Sequence, residues 1–295
     1  MFVFKITDIA DMLAEGADEV ISNRDNINSI NVFPVPDADT GSNMASTLLP
    51  IKNAKVDSQR PQIFIEQTLQ QVLKASRGNS GIMITSYLSG LLNSLTDEQI
   101  GSELLIKSFK NGADSAKSAV EAPKKGTMLD VMYAFYKSFD ANLDISQNAF
   151  DKALTRTKEA LIATESQMKV LSDHKVVDAG ALGFTLFIYG FSKKITRERL
   201  DISFLNLKKV NEEKLEFGKF PYEVVFIVEE PMFSAPDLKS MFHAMGNSID
   251  IVEVAGSIKV HIHTDNTDVV RETAELVGNI VDLKITDMRN TVVHA

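Results

Sequence analysis

The sequence predicts an all-helical bundle followed by a smaller α+β domain, and two changes of pattern along its 295 residues carry that prediction. From Met1 to about Arg199 apolar residues recur at steps of three or four, as in Ile6, Ile9, Leu13, Ala17, Val20 and Ile21, the spacing that turns one face of a helix towards a core. Beyond residue 219 much of the pattern becomes strand-like. Between them DISFLNLKKVNEEKLEFGK, 201–219, is charged and loses the helical period, as a linker would. The domains are therefore expected at 1–200 and 220–295.

In the first region the helical period returns in 61–75, 81–95, 99–120, 128–140, 147–165 and 181–193, each bounded by Gly, Pro, Asn or Asp. In the second, YEVVFIVEE reads as a strand, APDLKSMFHAMGN as a helix, DIVEVAG and SIKVHIHTD as strands, DVVRETAELVG as a helix and VDLKITDM as a strand. That order, β-α-β-β-α-β, is the split βαβ or ferredoxin-like arrangement, with Ala255 and Gly256 as the hairpin turn between the middle strands.

Composition removes several functions. With no cysteine, disulfides, Cys-liganded zinc and thiol nucleophiles are excluded. A net charge of -9 argues against a broad nucleic-acid surface, which needs clustered Lys and Arg. No apolar run approaches the roughly 20 residues that span a bilayer, and the start MFVFKITDIADML is acidic where a signal peptide is basic. A cytoplasmic protein without an integral membrane segment is expected. A nucleotide remains compatible with the charge, because a metal ion can supply positive charge locally.

The segment NVFPVPDADTGSN, 31–43, carries the most chemistry. Pro34 and Pro36 force extended backbone before Asp37, so the carboxylates of Asp37 and Asp39 belong on a loop. Thr40, Ser42 and Asn43 offer capping groups to the helix that follows. Two carboxylates at a rigid turn above a helix start make a hard oxygen site suited to magnesium, which shares its sphere with water and phosphate. A calcium EF-hand loop is excluded, since Ser42 and Leu48 stand where Gly and Glu are required. The plainer alternative is that both aspartates only make a turn and cap a helix.

Three more segments place small or polar residues at helix starts. SRGNSG, 76–81, lets backbone N–H groups approach phosphate oxygens at the start of a helix expected from Gly81, or is simply a tight connection. In GTMLD, 126–130, Thr127 is a natural cap, and in VDAGALG, 177–183, Gly180 and Gly183 allow close helix packing. No Walker P-loop occurs.

Taken together and in this order, NVFPVPDADTGSNM, SRGNSGIM, GTMLDVM and VVDAGALGF resemble the nucleotide-binding subunit of dihydroxyacetone kinases, and more closely the ATP-binding protein of bacterial fatty acid kinase, over residues 5–195. The resemblance implies an antiparallel eight-helix barrel with Mg-ATP or Mg-ADP at one end. It implies that Asp37 and Asp39 bind magnesium and act in catalysis, with Asn31 near a third ligand position. It further implies that Thr40, Gly41, Asn43, Gly78, Asn79, Ser80, Gly81, Thr127, Met128, Asp178 and Gly180 surround the nucleotide. Residues 222–290 resemble the middle domain of the fatty acid kinase protein, in which two histidines and a cysteine form a zinc site. Here His261 and His263 stand two apart on a strand and share a face, while FGKFPYE puts Phe220 or Pro221 in place of the cysteine. Asp265, Glu223 and His243 are the remaining third-ligand candidates, and a structural or exposed role for the histidines is preferred to zinc binding.

The implied activity is phosphoryl transfer from ATP to a fatty acid carboxylate presented by an acyl-binding partner, and a homodimer is admissible. The alternatives are a non-catalytic nucleotide-binding regulator and a kinase component of the dihydroxyacetone (glycerone) kinase type. Relatives of the fatty acid kinase type continue into a third, partner-engaging domain, which here is expected on a separate chain, lost or truncated away.

Overall fold

The computed structural model describes residues 3–33, 38–54, 56, 60–97, 99–139, 145–196, 200–203 and 219–290. Its first part is helical: α1 (Ile6–Ser22), α2 (Arg24–Ser29), α3 (Thr40–Asn53), α4 (Pro61–Ala75), α5 (Gly78–Leu92), α6 (Ser102–Ala119), α7 (Met128–Lys137), α8 (Gln147–Gln167), α9 (Lys169–His174) and α10 (Ala179–Ser192). Its second part is β1 (Tyr222–Glu229), α11 (Ala235–Phe242), β2 (Asn247–Val254), β3 (Ser257–Thr264), α12 (Thr267–Glu275) and β4 (Asn279–Asp287).

Close helix crossings set the bundle. Where α1 meets α10, a Cβ on Gly190 would lie 2.4 Å from the Glu15 carbonyl, and one on Gly16 would lie 2.6 Å from that of Phe187. Where α5 meets α6, a Cβ on Gly90 would come within 2.3 Å of the Asn111 carbonyl. Around Phe109 the rings of Phe135, Phe139, Phe150 and Phe191 pack mostly edge to face, at centroid distances of 5.0, 5.8, 6.5 and 5.7 Å.

The sheet has the order β2-β3-β1-β4 with every neighbouring pair antiparallel, the order that the β-α-β-β-α-β sequence implies. Ala255 and Gly256 join β2 to β3 with φ of 47° and 76°, the paired positive values of a type I′ turn. Alternation then sorts the side chains. Ile258, Val260 and Ile262 pack with Phe226, Leu238, Phe242 and Val270 in one core, whereas Val252 and Val254 join the core of the helices. Lys239 and Lys259 each donate to carbonyls at the end of a helix, α6 and α4 respectively, and Glu121 accepts from His243 at 2.5 Å.

The structure moves some expected boundaries. Helix α5 begins at Gly78 rather than Gly81, so the SRGNSG glycines lie in its first turn. The six-residue helices α2 and α9 are too short to show a period. Most of the expected linker, 204–218, lies outside the described residues.

Gly190→Ala is expected to destabilise the fold by about 1–3 kcal/mol, because the new methyl meets backbone rather than a yielding side chain. Denaturant unfolding measures it, and an unchanged midpoint would mean that α1 and α10 do not cross this closely.

Candidate functional site

Four helices begin around one cleft of about 910 Å³. Its wall takes Asp39, Thr40 and Asn43 from the start of α3, and Gly78, Asn79 and Ser80 from that of α5. Thr127 and Met128 come from the start of α7, and Asp178 and Gly180 from that of α10. The first turn of a helix leaves N–H groups unbonded and carries partial positive charge, so the starts together favour an anion. Lys74, Arg77, Lys124 and Lys284 add full charges to the lining.

Side chains behind the wall hold these starts. Asn31 is buried and accepts the Thr40 N–H at 2.9 Å, and Asn28 accepts that of Ser42 at 3.1 Å while donating to its hydroxyl at 2.9 Å. Asp39 occupies the N-cap of α3, yet its carboxylate makes no capping hydrogen bond, so capping does not account for it. Asp37, with Pro34 and Pro36, lies outside the described residues. Gly78 has φ of +56° and backs onto Asn43, whose side-chain nitrogen a Cβ would approach to 2.6 Å. Gly41 and Gly81, expected to touch nucleotide, stand outside the cleft lining: a Cβ there would meet the Arg24 carbonyl at 2.2 Å and the Thr47 hydroxyl at 2.7 Å.

Asp178 ties two helix starts together. Its buried carboxylate accepts the Ala181 N–H at 2.7 Å and also that of Met128, and its own N–H donates to the Thr164 hydroxyl at 3.0 Å. Burial raises its pKa to about 7 against the opposing pull of these bonds, with Asp130 nearby pushing the same way as burial. At the start of α7, Asp130 accepts from the N–H of Gly126 at 2.5 Å and from that of Thr127 at 3.3 Å.

The sheet forms the facing wall with Glu223, Asp250, Lys259, His261 and His263. One ligand atom each from Glu223, His261 and His263 lies within 4.8 Å of the others. Of the three candidates for a third ligand, the fold brings in Glu223; His243 instead faces Glu121. His261 Nε2 lies 3.0 Å from the Glu223 carboxylate and Nδ1 lies 3.2 Å from the Ser248 carbonyl. Burial works against charge on both partners, but their bond prevails, raising His261 and, with His263 and Lys284 nearby, holding Glu223 at about 2. Burial and the neighbouring His261 lower His263 to about 4, leaving it neutral and fit to ligate. Two imidazoles and a carboxylate suit zinc, and the Ser248 carbonyl would orient the His261 ring from behind. Asp250 keeps one buried carboxylate oxygen without a hydrogen bond, and burial raises its pKa to about 6.

Three lining residues had no distinctive signal in the sequence. Phe33 lies under the Lys124 ammonium, 5.0 Å from its ring centroid, and Asp250 and Lys259 reach the cleft only because the sheet docks there.

Residues 34–193 match the DAK2 domain, and residues 219–295 match the FakA-like middle domain of fatty acid kinase. With more than half of its length in the first match, the chain belongs to the DAK2 domain family. It is 27% identical over 310 residues to uncharacterized proteins of Staphylococcus aureus strains MRSA252 and bovine RF122 / ET3-1, covering 95% of this chain and 55% of each relative. The chain thus spans about half the length of these relatives. It is similar in fold to the dihydroxyacetone kinase from C. freundii, solved in complex with AMP-PNP and Mg2+, with a TM-score of 0.50 and 14% identity over 63% of this chain and 33% of that one. Among the described residues no helix is long and apolar enough to cross a membrane.

The raised pKa of Asp178 makes it a source of pH dependence. A carboxyl that binds its proton more tightly folded than unfolded contributes stability that is complete below about pH 4 and lost as pH rises through about 7. The melting temperature of Asp178→Asn relative to the native chain is therefore expected to rise between pH 4 and 7. A difference independent of pH would show that the carboxyl titrates normally.

Proposed function

We propose that this chain binds Mg-ATP in the cleft and serves as the phosphoryl-donating part of a kinase, whose acceptor is the carboxylate of a fatty acid held by an acyl-binding partner. One observation carries the nucleotide reading: four helix starts and an aspartate not used for capping face one cleft within the DAK2-matched helices. The AMP-PNP and Mg2+ bound by the C. freundii enzyme of similar fold support the ligand, and the match of residues 219–295 supports the fatty acid branch of the family. We propose also that the helices close as an antiparallel eight-helix barrel.

In this reading the N–H groups of Gly78, Asn79 and Ser80 bind phosphate oxygens, while Phe33 and Met128 offer apolar surface to the base. Asp39 and Asp37 would hold magnesium, and Glu223, His261 and His263 would hold zinc. Bound magnesium supplies charge neutralisation at the transferring phosphate. A carboxylate acceptor is already ionised near neutral pH, so the chain need not provide a general base. Acceptor and phosphate must be held in near-attack geometry, which on this reading the partner supplies.

Asp39→Ala is expected to abolish magnesium-dependent ADP binding in calorimetry while changing folding stability by less than about 0.5 kcal/mol, because its carboxylate caps nothing. Retained binding with a large drop in melting temperature would return Asp39 to a structural role. Acyl-phosphate formation is expected only when an acyl-binding protein is added. Rapid turnover of free fatty acid by this chain alone would overturn partner dependence, and turnover of dihydroxyacetone would move the acceptor to that class.

A further inference from the structure

The loop that faces the phosphates is held from behind by the opposite wall. Lys259 lies on β3, two residues before His261, and only 4% of it is exposed. Its ammonium donates to the carbonyls of Ser76 at 2.6 Å, Leu73 at 3.0 Å and Lys74 at 3.4 Å. These carbonyls belong to the last turn and C-cap of α4, where a helix leaves acceptors unbonded and favours a cation. Three donors meet three acceptors, which is how a buried ammonium without a contacting carboxylate is tolerated.

From Ser76 the chain runs straight into Arg77, Gly78, Asn79 and Ser80, all of which line the cleft. On its other side Gly78 rests on Asn43 and Gly81 on Thr47, both from α3. The loop is therefore clamped between a helix that begins at Thr40 and a strand nearly two hundred residues further along the chain.

We propose that Lys259 is a positioning residue of the nucleotide site: by capping α4 it fixes where the backbone N–H groups of Gly78 to Ser80 point, making the sheet part of that site. The proposal rests on reading the cleft as a nucleotide site. The sheet then does more than carry a metal cluster, since a shift of β3 moves the loop directly.

The test uses the full chain with Lys259→Met, which keeps the length of the stem but removes the donors, and Lys259→Arg, which keeps a cation. Binding of Mg-ADP is measured by calorimetry, and hydrogen exchange is followed in residues 74–81 and in β1. Leaving three buried carbonyls without a donor is expected to weaken Mg-ADP binding at least about tenfold in Lys259→Met. Exchange in 74–81 should accelerate with β1 unchanged, and Lys259→Arg should recover most of both effects. If Lys259→Met does not fold, near-native binding and loop protection in Lys259→Arg support the role, and loss of binding with a protected loop overturns it. Native binding and native loop protection in Lys259→Met would also overturn it. Should the native chain bind no Mg-ADP, the nucleotide reading fails, and the exchange comparison alone still decides whether Lys259 orders the loop.

Discussion

Four helix starts crowd one cleft, and each brings partial positive charge that the protein itself neutralises only in part. A helix start stabilises a nearby anion by about 0.3–1 kcal/mol at a surface and up to about 2 in partly buried geometry. Four of them suit a phosphate group but fall short of balancing a polyphosphate. A metal ion must add to them, which gives the Asp39 carboxylate, absent from the capping of α3, its place in the site. The crossings at Gly16, Gly90 and Gly190 serve the same end by bringing helices close enough for their starts to meet.

The opposite wall is built on other physics. Alternation along β3 sends Ile258, Val260 and Ile262 into the core of the sheet and leaves Lys259, His261 and His263 on the cleft face. The cation of that row is satisfied by helix carbonyls, while the first histidine is satisfied by a carboxylate of β1. Glu223 stands directly opposite His263 in the register and reaches diagonally to His261, so the cluster is set by strand pairing.

Much of this was legible in the sequence where one residue acts through its neighbours. The period over 61–75 coincides with α4, and the two-residue turn at Ala255 and Gly256 joins the strands it was expected to join. The site was legible as a set of helix starts, because Gly, Asn, Thr and Asp at a boundary have local reasons to be there. The start of α5 was read three residues late because SRGNSG has the composition of a loop, and only the packing of Gly78 on Asn43 shows that its first turn is helical. Gly41 and Gly81 were assigned to ligand because a small residue in a motif looks the same whether it makes room for phosphate or for a neighbouring helix. The choice of Glu223 over Asp265 and His243, and the contact of Lys259 with α4, depend on strand register and docking, which no local pattern encodes.

The central claim is that polyphosphate lies at the starts of α3 and α5 with its metal ion on the Asp39 side. A crystal structure with a non-hydrolysable ATP analogue and manganese, located by its anomalous signal, tests it most directly. The account predicts manganese beside Asp39 and phosphate oxygens within hydrogen-bonding distance of the N–H groups of Gly78, Asn79 and Ser80. Phosphates bound away from those groups, with manganese found only at Glu223, His261 and His263, would contradict it.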